Sequence, residues 1–213
     1  MKAIIFDMDG TLIDSKKAIE ATINEMRKSI GLEPNLDSDF IVEIINNPEK
    51  NYIKEFYGLD SITIEQKINF EKSFRKNYDL YAKAYDGIKE MLEKCREKGY
   101  LITLASNAPK DSLQAILKKT GIIEYFDLIE GASKDTPQKP DPTMLNLVMK
   151  ELKNEYGNNV KGCFVGDSIK DEEAAINAKM PYIQVTWGFG RDSNKYQNVS
   201  EVDKLVDEIS AIF

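Results

Sequence analysis

The chain has 213 residues, of which 42% are hydrophobic and 31% charged, a composition typical of a globular protein of one domain, or of one domain with an insert. Its net charge of −7 and isoelectric point of about 4.9 argue against nucleic acid or an anionic membrane as a general partner, because the overall field would repel polyanions. The absence of histidine excludes imidazole catalysis and most zinc sites, so any metal is expected to bind oxygen ligands.

The first apolar run ends at Asp7, which is too early for a signal peptide. No stretch approaches the roughly 18 apolar residues that a bilayer span requires. The two cysteines, Cys95 and Cys163, form no CxxC pair, and we interpret them as buried reduced thiols. We therefore expect a cytoplasmic protein that binds neither membranes nor nucleic acid.

Short apolar runs alternate along the chain with amphipathic stretches of helical period. The predicted strands cover residues 3–6, 101–105, 163–165 and 182–186, with a weaker one at 126–129. The predicted helices between and after them cover residues 88–98, 112–120, 142–155 and 171–178. This alternation is typical of a parallel sheet with helices wound on both faces.

The region from about residue 15 to residue 83 contains no convincing strand. It predicts four helices, at residues 16–30, 36–46, 49–56 and 64–81, which together form a small helical module inserted after the first strand. In the last of these helices, aromatic residues such as Phe70, Phe74 and Tyr78 recur three or four positions apart among lysines. A basic aromatic face could bind single-stranded nucleic acid, but we favour packing of the aromatic face on neighbouring helices.

Polar residues follow the predicted strands at the points where the strands end. They are Asp7, Asp9 and Thr11 after the first strand, Ser106 and Asn107 after the second, and Asp167, Ser168 and Asp171 after the third, with Lys139 in a loop before a helix. In an open α/β sheet, ligands bind at the carboxyl ends of the strands. Carboxylates gathered there would repel one another unless a hard cation such as Mg²⁺ compensated their charge. The coordination shell of a protein-bound Mg²⁺ commonly includes waters and a phosphate group.

Each of these residues also has a simpler interpretation when it is taken alone. Asp9-Gly10 is a common turn, Asp171 could merely favour the start of its helix, and a single lysine such as Lys139 is most often solvated. Their joint order and their positions after strands favour a site that binds a metal and a phosphoryl group.

Four motifs then carry a resemblance to a known family. Asp7-Met8-Asp9-Gly10-Thr11, Ser106-Asn107, Lys139-Pro140 and Gly166-Asp167-Ser168-x-x-Asp171 resemble, in order and spacing, the motifs of the haloacid dehalogenase superfamily. The resemblance implies a Rossmann-like, doubly wound α/β core of residues 1–14 and 84–213 and a small all-helical cap domain of residues 15–83. Residues 185–190 are similar to the corresponding stretch of phosphoglycolate phosphatases and related pyrophosphatases.

The resemblance also implies roles for these residues. Asp7 would attack phosphorus and form an aspartyl-phosphate, and Asp9 would act as general acid and then as general base. The residues implied as Mg²⁺ ligands are Asp7, Asp167 and Asp9, the last through its backbone carbonyl. Asp171 would support the metal's waters or pair with Lys139. The residues implied to bind the phosphoryl group are Thr11, Ser106, Asn107 and Lys139.

Our hypothesis is a Mg²⁺-dependent phosphatase of a small phosphorylated metabolite, with phosphoglycolate as one candidate substrate. Dehalogenases lack an acid at the position of Asp9, and sugar-phosphate mutases have a histidine where Ile19 aligns. The alternatives are a phosphotransferase or mutase, an inorganic pyrophosphatase, and a receiver-like signalling domain that keeps its phosphoryl group. We expect a monomer, with a dimer as the alternative.

Overall fold

A six-stranded parallel sheet forms the centre of the structure, a computed structural model that describes residues 1–213. The strands, numbered in chain order, are β1 (Lys2–Phe6), β2 (Ile13–Asp14), β3 (Lys83–Ala84), β4 (Leu101–Pro109), β5 (Leu128–Ala132), β6 (Lys161–Gly166), β7 (Tyr182–Val185) and β8 (Gln197–Val199). All except β2 and β3 belong to the large sheet, whose order is β5-β4-β1-β6-β7-β8. The first strand therefore lies near the centre, between β4 and β6.

Nine α-helices accompany the strands. They are α1 (Lys16–Ser29), α2 (Ser38–Asn46), α3 (Tyr52–Tyr57), α4 (Ile64–Tyr81), α5 (Ile88–Glu97), α6 (Lys110–Thr120), α7 (Thr143–Tyr156), α8 (Ile169–Ala178) and α9 (Leu205–Ile212). None of these helices combines the length and the hydrophobicity that a membrane-spanning segment requires.

The alternation of side chains along β1 separates two hydrophobic cores, one on each face of the sheet. Ile4 and Phe6 belong to the larger core, which is completed by α5, α6 and α9. Ala3 and Ile5 belong to the smaller core, which is completed by α7 and α8. Since both faces of the central strand are buried, its sequence is continuously apolar rather than alternating. The prediction of a doubly wound α/β fold with a parallel sheet is confirmed.

The helices α1 to α4 pack around a third, separate cluster of buried side chains. Its buried members are Ile23, Met26, Ile41, Ile44, Phe56 and Tyr57. The strands β2 and β3 pair in antiparallel fashion, with Ile13 opposite Ala84, and so join the two chain segments that enter and leave this helical insert.

Several predicted boundaries were wrong. The fifth strand is Leu128–Ala132 rather than 126–129, and β4 continues to Pro109, so that Ser106 and Asn107 lie within the strand rather than after it. Helix α3 begins at Tyr52 rather than at residue 49, because the Asn51 side chain accepts hydrogen bonds from two backbone N–H groups of its first turn. The elements β2, β3, β8 and α9 were missed altogether.

Candidate active site

The carboxyl ends of β1 and β6 bring the predicted acidic residues together at one edge of the sheet. Asp7 follows β1 directly, and its backbone N–H donates to the carbonyl of Val165 in β6. Asp167 follows β6, and one oxygen each from Asp7, Asp167 and Asp171 lie within 4.8 Å of one another. All three side chains are buried. The turn after β1 needs Gly10, with φ of 85°, since a Cβ there would lie 2.2 Å from Asp167 Oδ2.

Lys139 supplies the positive charge of this cluster. Its Nζ lies 2.5 Å from Asp7 Oδ1 and 2.6 Å from Asp171 Oδ1, and it donates to the carbonyl of Ala105 at 2.8 Å. The side chain is only 2% exposed, and its ammonium group donates hydrogen bonds to Asp7 and Ala105 and forms an ion pair with Asp171. A buried ammonium is tolerable here because two carboxylates flank it.

Asn107 fixes the backbone that carries Lys139. Its Oδ1 accepts from the N–H of Lys139 at 2.7 Å, and its Nδ2 donates to the carbonyl of the same residue at 3.1 Å. The neighbouring Ser106 is buried, and its Oγ accepts from the N–H of Ala108 at 3.1 Å. The structure thus brings Ser106 and Asn107 to the same edge of the sheet as the acidic cluster, with Asn107 engaged by the loop of Lys139.

Asp171 is held by its own helix. Its Oδ2 accepts from the hydroxyl of Ser168 at 2.6 Å and from the N–H of Ser168 at 3.0 Å, while the Ser168 hydroxyl accepts from the N–H of Asp171. These bonds form a capping box at the start of α8. Asp171 thus stabilises the start of its helix and also pairs with Lys139, which are two of the interpretations that the sequence left open.

Burial and mutual repulsion raise the pKa values of two of these acids. Burial raises the pKa of Asp7 well above its ordinary value, and the charges of Asp171 and Asp167 add to this, although Lys139 opposes it. Burial, together with Asp171, raises the pKa of Asp167 to about 7. Burial alone would lower the pKa of Lys139, but Asp171 and Asp7 outweigh it and raise that pKa. The cluster therefore binds protons readily unless another cation is present.

The cluster fits an oxygen-binding divalent cation. Three carboxylates, if all are ionised, and one ammonium leave a net charge of −2 in a buried site without histidine. Asp167 forms no salt bridge with any lysine or arginine, whereas Asp7 and Asp171 share Lys139. A buried carboxylate that lacks a cationic partner, as Asp167 does, is a suitable ligand for a hard divalent cation.

A residue of the helical insert that the sequence analysis did not assign to the site forms a hydrogen bond with Asp9. The hydroxyl of Tyr78 in α4 donates to Asp9 Oδ1 at 3.0 Å, and its ring lies 4.1 Å, between centroids, from that of Phe74. Burial raises the pKa of Asp9, and the hydrogen bond from Tyr78 opposes this effect. The aromatic periodicity of α4 predicted packing, which is correct for both rings, but a buried phenol also needs a polar partner.

The loop after β7 also approaches the acidic residues. The backbone N–H groups of Phe189 and Gly190 donate to Asp167 Oδ2 at 2.7 and 3.2 Å, and Thr11 donates to Asp167 Oδ1 at 3.3 Å. The hydroxyl of Thr11, predicted as a phosphate ligand, is thus engaged by Asp167. Backbone donors leave no mark in the amino-acid sequence, apart from the glycines that such a close approach requires.

The family model of haloacid dehalogenase-like hydrolases matches residues 4–185. The chain belongs to this family. Its resemblance to the haloacid dehalogenase superfamily, predicted from four motifs, is therefore confirmed, as is the prediction that it is a hydrolase.

Among relatives of this haloacid dehalogenase-like hydrolase, the phosphoglycolate phosphatase of Aquifex aeolicus is 30% identical over 215 residues, which cover 97% of each chain. The N-acetylmuramic acid 6-phosphate phosphatase of Pseudomonas aeruginosa is 27% identical over 192 residues, covering 89% of this chain and 83% of that one. The crystal structure of a predicted phosphatase from Clostridium acetobutylicum superimposes with a TM-score of 0.80 at 25% identity, covering 99% and 98% of the two chains.

Proposed function

We propose that the protein is a Mg²⁺-dependent phosphatase that hydrolyses a small phosphorylated metabolite through an aspartyl-phosphate on Asp7. The observation that carries this proposal is the position of Asp7, a buried carboxylate in contact with Lys139 and within 4.8 Å of Asp167 and Asp171. The related phosphatases, which are named for phosphoglycolate and N-acetylmuramic acid 6-phosphate, support a small phosphorylated substrate.

In the first step, a carboxylate oxygen of Asp7 attacks phosphorus, the bond from phosphorus to the leaving oxygen breaks, and Asp9 donates a proton to that oxygen. In the second step, Asp9 takes a proton from water as the water attacks the phosphorus, which releases inorganic phosphate and restores Asp7. A raised pKa suits Asp9, because the same group must hold a proton in one step and lack it in the next.

Lys139 and Ser106 are proposed to bind the phosphoryl oxygens, and Asn107 holds the backbone of Lys139 in place. Thr11, whose hydroxyl donates to Asp167 Oδ1, is proposed to bind the phosphoryl group only by giving up that contact. When bound, Mg²⁺ supplies positive charge that neutralises the phosphoryl oxygens and the attacking carboxylate. The residues proposed to hold it are Asp7, Asp167 and the backbone carbonyl of Asp9. Asp171, whose Oδ2 accepts from Ser168 and whose Oδ1 forms an ion pair with Lys139, is proposed to position Lys139 rather than to bind the metal directly.

We also propose that residues 15–83 act as a cap on a core of residues 1–14 and 84–213. The contact of Tyr78 with Asp9 supports this division, because it places α4 of the insert directly over the proposed general acid. The β2–β3 pair at the base of the insert is the natural hinge for such a cap. Closure of the cap would exclude bulk water from the reacting phosphoryl group.

The test is release of inorganic phosphate from a panel that includes phosphoglycolate, N-acetylmuramic acid 6-phosphate, sugar phosphates, nucleotides and pyrophosphate. Each reaction is run with Mg²⁺ and with chelator, and the Asp7→Asn variant serves as control. Mg²⁺-dependent release that is lost in this variant supports the proposal. Turnover of pyrophosphate alone would favour a pyrophosphatase, and transfer to a second hydroxyl without free phosphate would favour a mutase.

The lifetime of the phosphorylated protein separates the enzyme from a receiver-like domain. A phosphatase discharges its aspartyl-phosphate quickly, whereas a receiver keeps the adduct for seconds to hours. The experiment treats folded, Mg²⁺-loaded protein with a small phosphoryl donor. If the protein retains the adduct and turns over no phosphoester, the proposal of a phosphatase is refuted.

A further inference from the structure

The loop of residues 187–190, which follows β7, packs its backbone against the two loops that carry the acidic residues. A Cβ on Gly188 would lie 1.9 Å from the carbonyl oxygen of Gly10, and a Cβ on Gly190 would lie 1.3 Å from the carbonyl oxygen of Asp167. Neither position tolerates any side chain without displacement of backbone. The two glycines are therefore required by close approach of one backbone to another.

This approach places two backbone N–H groups on the carboxylate of Asp167. Phe189 and Gly190 donate to Oδ2 at 2.7 and 3.2 Å. These are charge-assisted hydrogen bonds, and they matter more here because no lysine or arginine pairs with Asp167. Oδ2 is thereby occupied twice, whereas Oδ1 has only the Thr11 hydroxyl at 3.3 Å and retains an acceptor site.

Three further hydrogen bonds hold the same two loops and residues 182–190 together. The indole Nε1 of Trp187 donates to the carbonyl of Thr11 at 3.0 Å, which fastens the loop to the turn after β1. On the other side, Gln184 Nε2 donates to the backbone carbonyl of Asp167 at 2.5 Å, and the Tyr182 hydroxyl donates to Gln184 Oε1 at 2.7 Å. The backbone and the carboxylate of Asp167 are thus both held by residues 182–190.

We infer that the loop of residues 187–190 positions Asp167 for the metal, by fixing Oδ2 with two backbone donors and leaving an acceptor site on Oδ1 for the cation. This inference rests on the proposed Mg²⁺ site. Its residues are positioning residues, since none of them needs to touch the metal or the substrate. Groups that orient a metal ligand lower the cost of arranging the site, and their loss typically weakens metal binding by about 10- to 100-fold.

The experiment is isothermal titration calorimetry of Mg²⁺ and Mn²⁺ binding to the full chain without substrate, with unfolding temperatures of the metal-free proteins measured in parallel. Gly190→Ala displaces the loop from Asp167, and Phe189→Pro removes one of the two donors. The matched controls are Phe189→Ala, which keeps its N–H, and Arg191→Ala, which alters an exposed neighbour. We expect the first two variants to bind the metals about 10- to 100-fold more weakly and both controls to bind as the wild type does.

Trp187 provides an independent readout, because it is the only tryptophan in the chain and belongs to the loop itself. Its fluorescence is expected to shift when the metal binds to the wild type, and this shift is expected to require higher metal concentrations in Gly190→Ala. Should Gly190→Ala and Phe189→Pro both fail to fold, Trp187→Phe decides by calorimetry, since it removes the indole donor while keeping an aromatic ring.

The outcomes separate the two proposals. Wild-type protein that binds neither metal would refute the metal site itself and the inference with it. Wild-type protein that binds the metal, together with folded loop variants of unchanged affinity, would refute only the positioning role of the loop. A lower unfolding temperature at unchanged metal affinity would show that the loop is merely structural.

Discussion

Replacing Asp167 with asparagine is expected to stabilise the metal-free protein at pH 8. Burial and the charge of Asp171 raise the pKa of Asp167 from its ordinary value of 3.8 to about 7. Between those two values the folded protein holds a proton that the unfolded chain has lost. The metal-free wild type therefore loses stability as the pH rises from 4 to 7. Asparagine does not titrate, so the variant is spared this loss.

The magnitude follows from the difference of about three pH units between the two pKa values, at about 1.4 kcal/mol for each unit. Integrated from pH 4.5 to pH 8, the wild type is expected to lose on the order of 3 kcal/mol relative to Asp167→Asn. For a chain of this length, that corresponds to a difference in unfolding temperature of about 6–12 °C. Any packing cost of asparagine itself appears equally at both pH values and cancels.

The assay is urea unfolding of both proteins at pH 4.5 and pH 8 in the presence of a chelator, followed by circular dichroism. If the stability difference between the two proteins is the same at the two pH values, the raised pKa of Asp167 is refuted. Adding Mg²⁺ at pH 8 then removes most of this difference, because the wild type gains about 2.7 kcal/mol at a concentration 100 times its Kd and the variant gains little. Equal stabilisation of both proteins would exclude Asp167 as a ligand.

Three other substitutions test the remaining parts of the site. Asp7→Asn is expected to lower phosphate release by roughly 10³-fold or more while the protein stays folded, and a rate near that of the wild type would refute covalent catalysis. Tyr78→Phe keeps the packing on Phe74 but removes the hydrogen bond to Asp9, so kcat is expected to fall about tenfold with little change in unfolding temperature; an unchanged kcat would show that Tyr78 only packs. Lys139→Met leaves two buried carboxylates without their cationic partner, so urea unfolding at pH 8 without metal is expected to show that the free energy of unfolding falls by about 3–5 kcal/mol. The loss is expected to diminish at pH 5, and a loss independent of pH would contradict this reasoning.

The large sheet and the location of the site followed from local patterns. An apolar run such as residues 3–6 is typical of a central parallel strand that is buried on both faces, and acids placed directly after parallel strands share one edge of the sheet. Marginal elements were predicted less well. The short strand β8 has exposed residues at two of its three positions. Hydrophobic periodicity reveals only elements that bury a regular face, so this strand gave no signal.

The amino-acid sequence alone determined the alternation of strands and helices, the four motifs and the edge of the sheet at which Asp7, Lys139 and Asp167 meet, because side-chain identity and periodicity are local properties. Only the tertiary structure decided that Tyr78 of a distant helix donates a hydrogen bond to Asp9 and that the loop of residues 187–190 donates hydrogen bonds to Asp167. The first contact depends on how the helical insert packs over the sheet. The second is made by backbone N–H groups, which every residue except proline carries and which therefore leave no specific trace in the sequence.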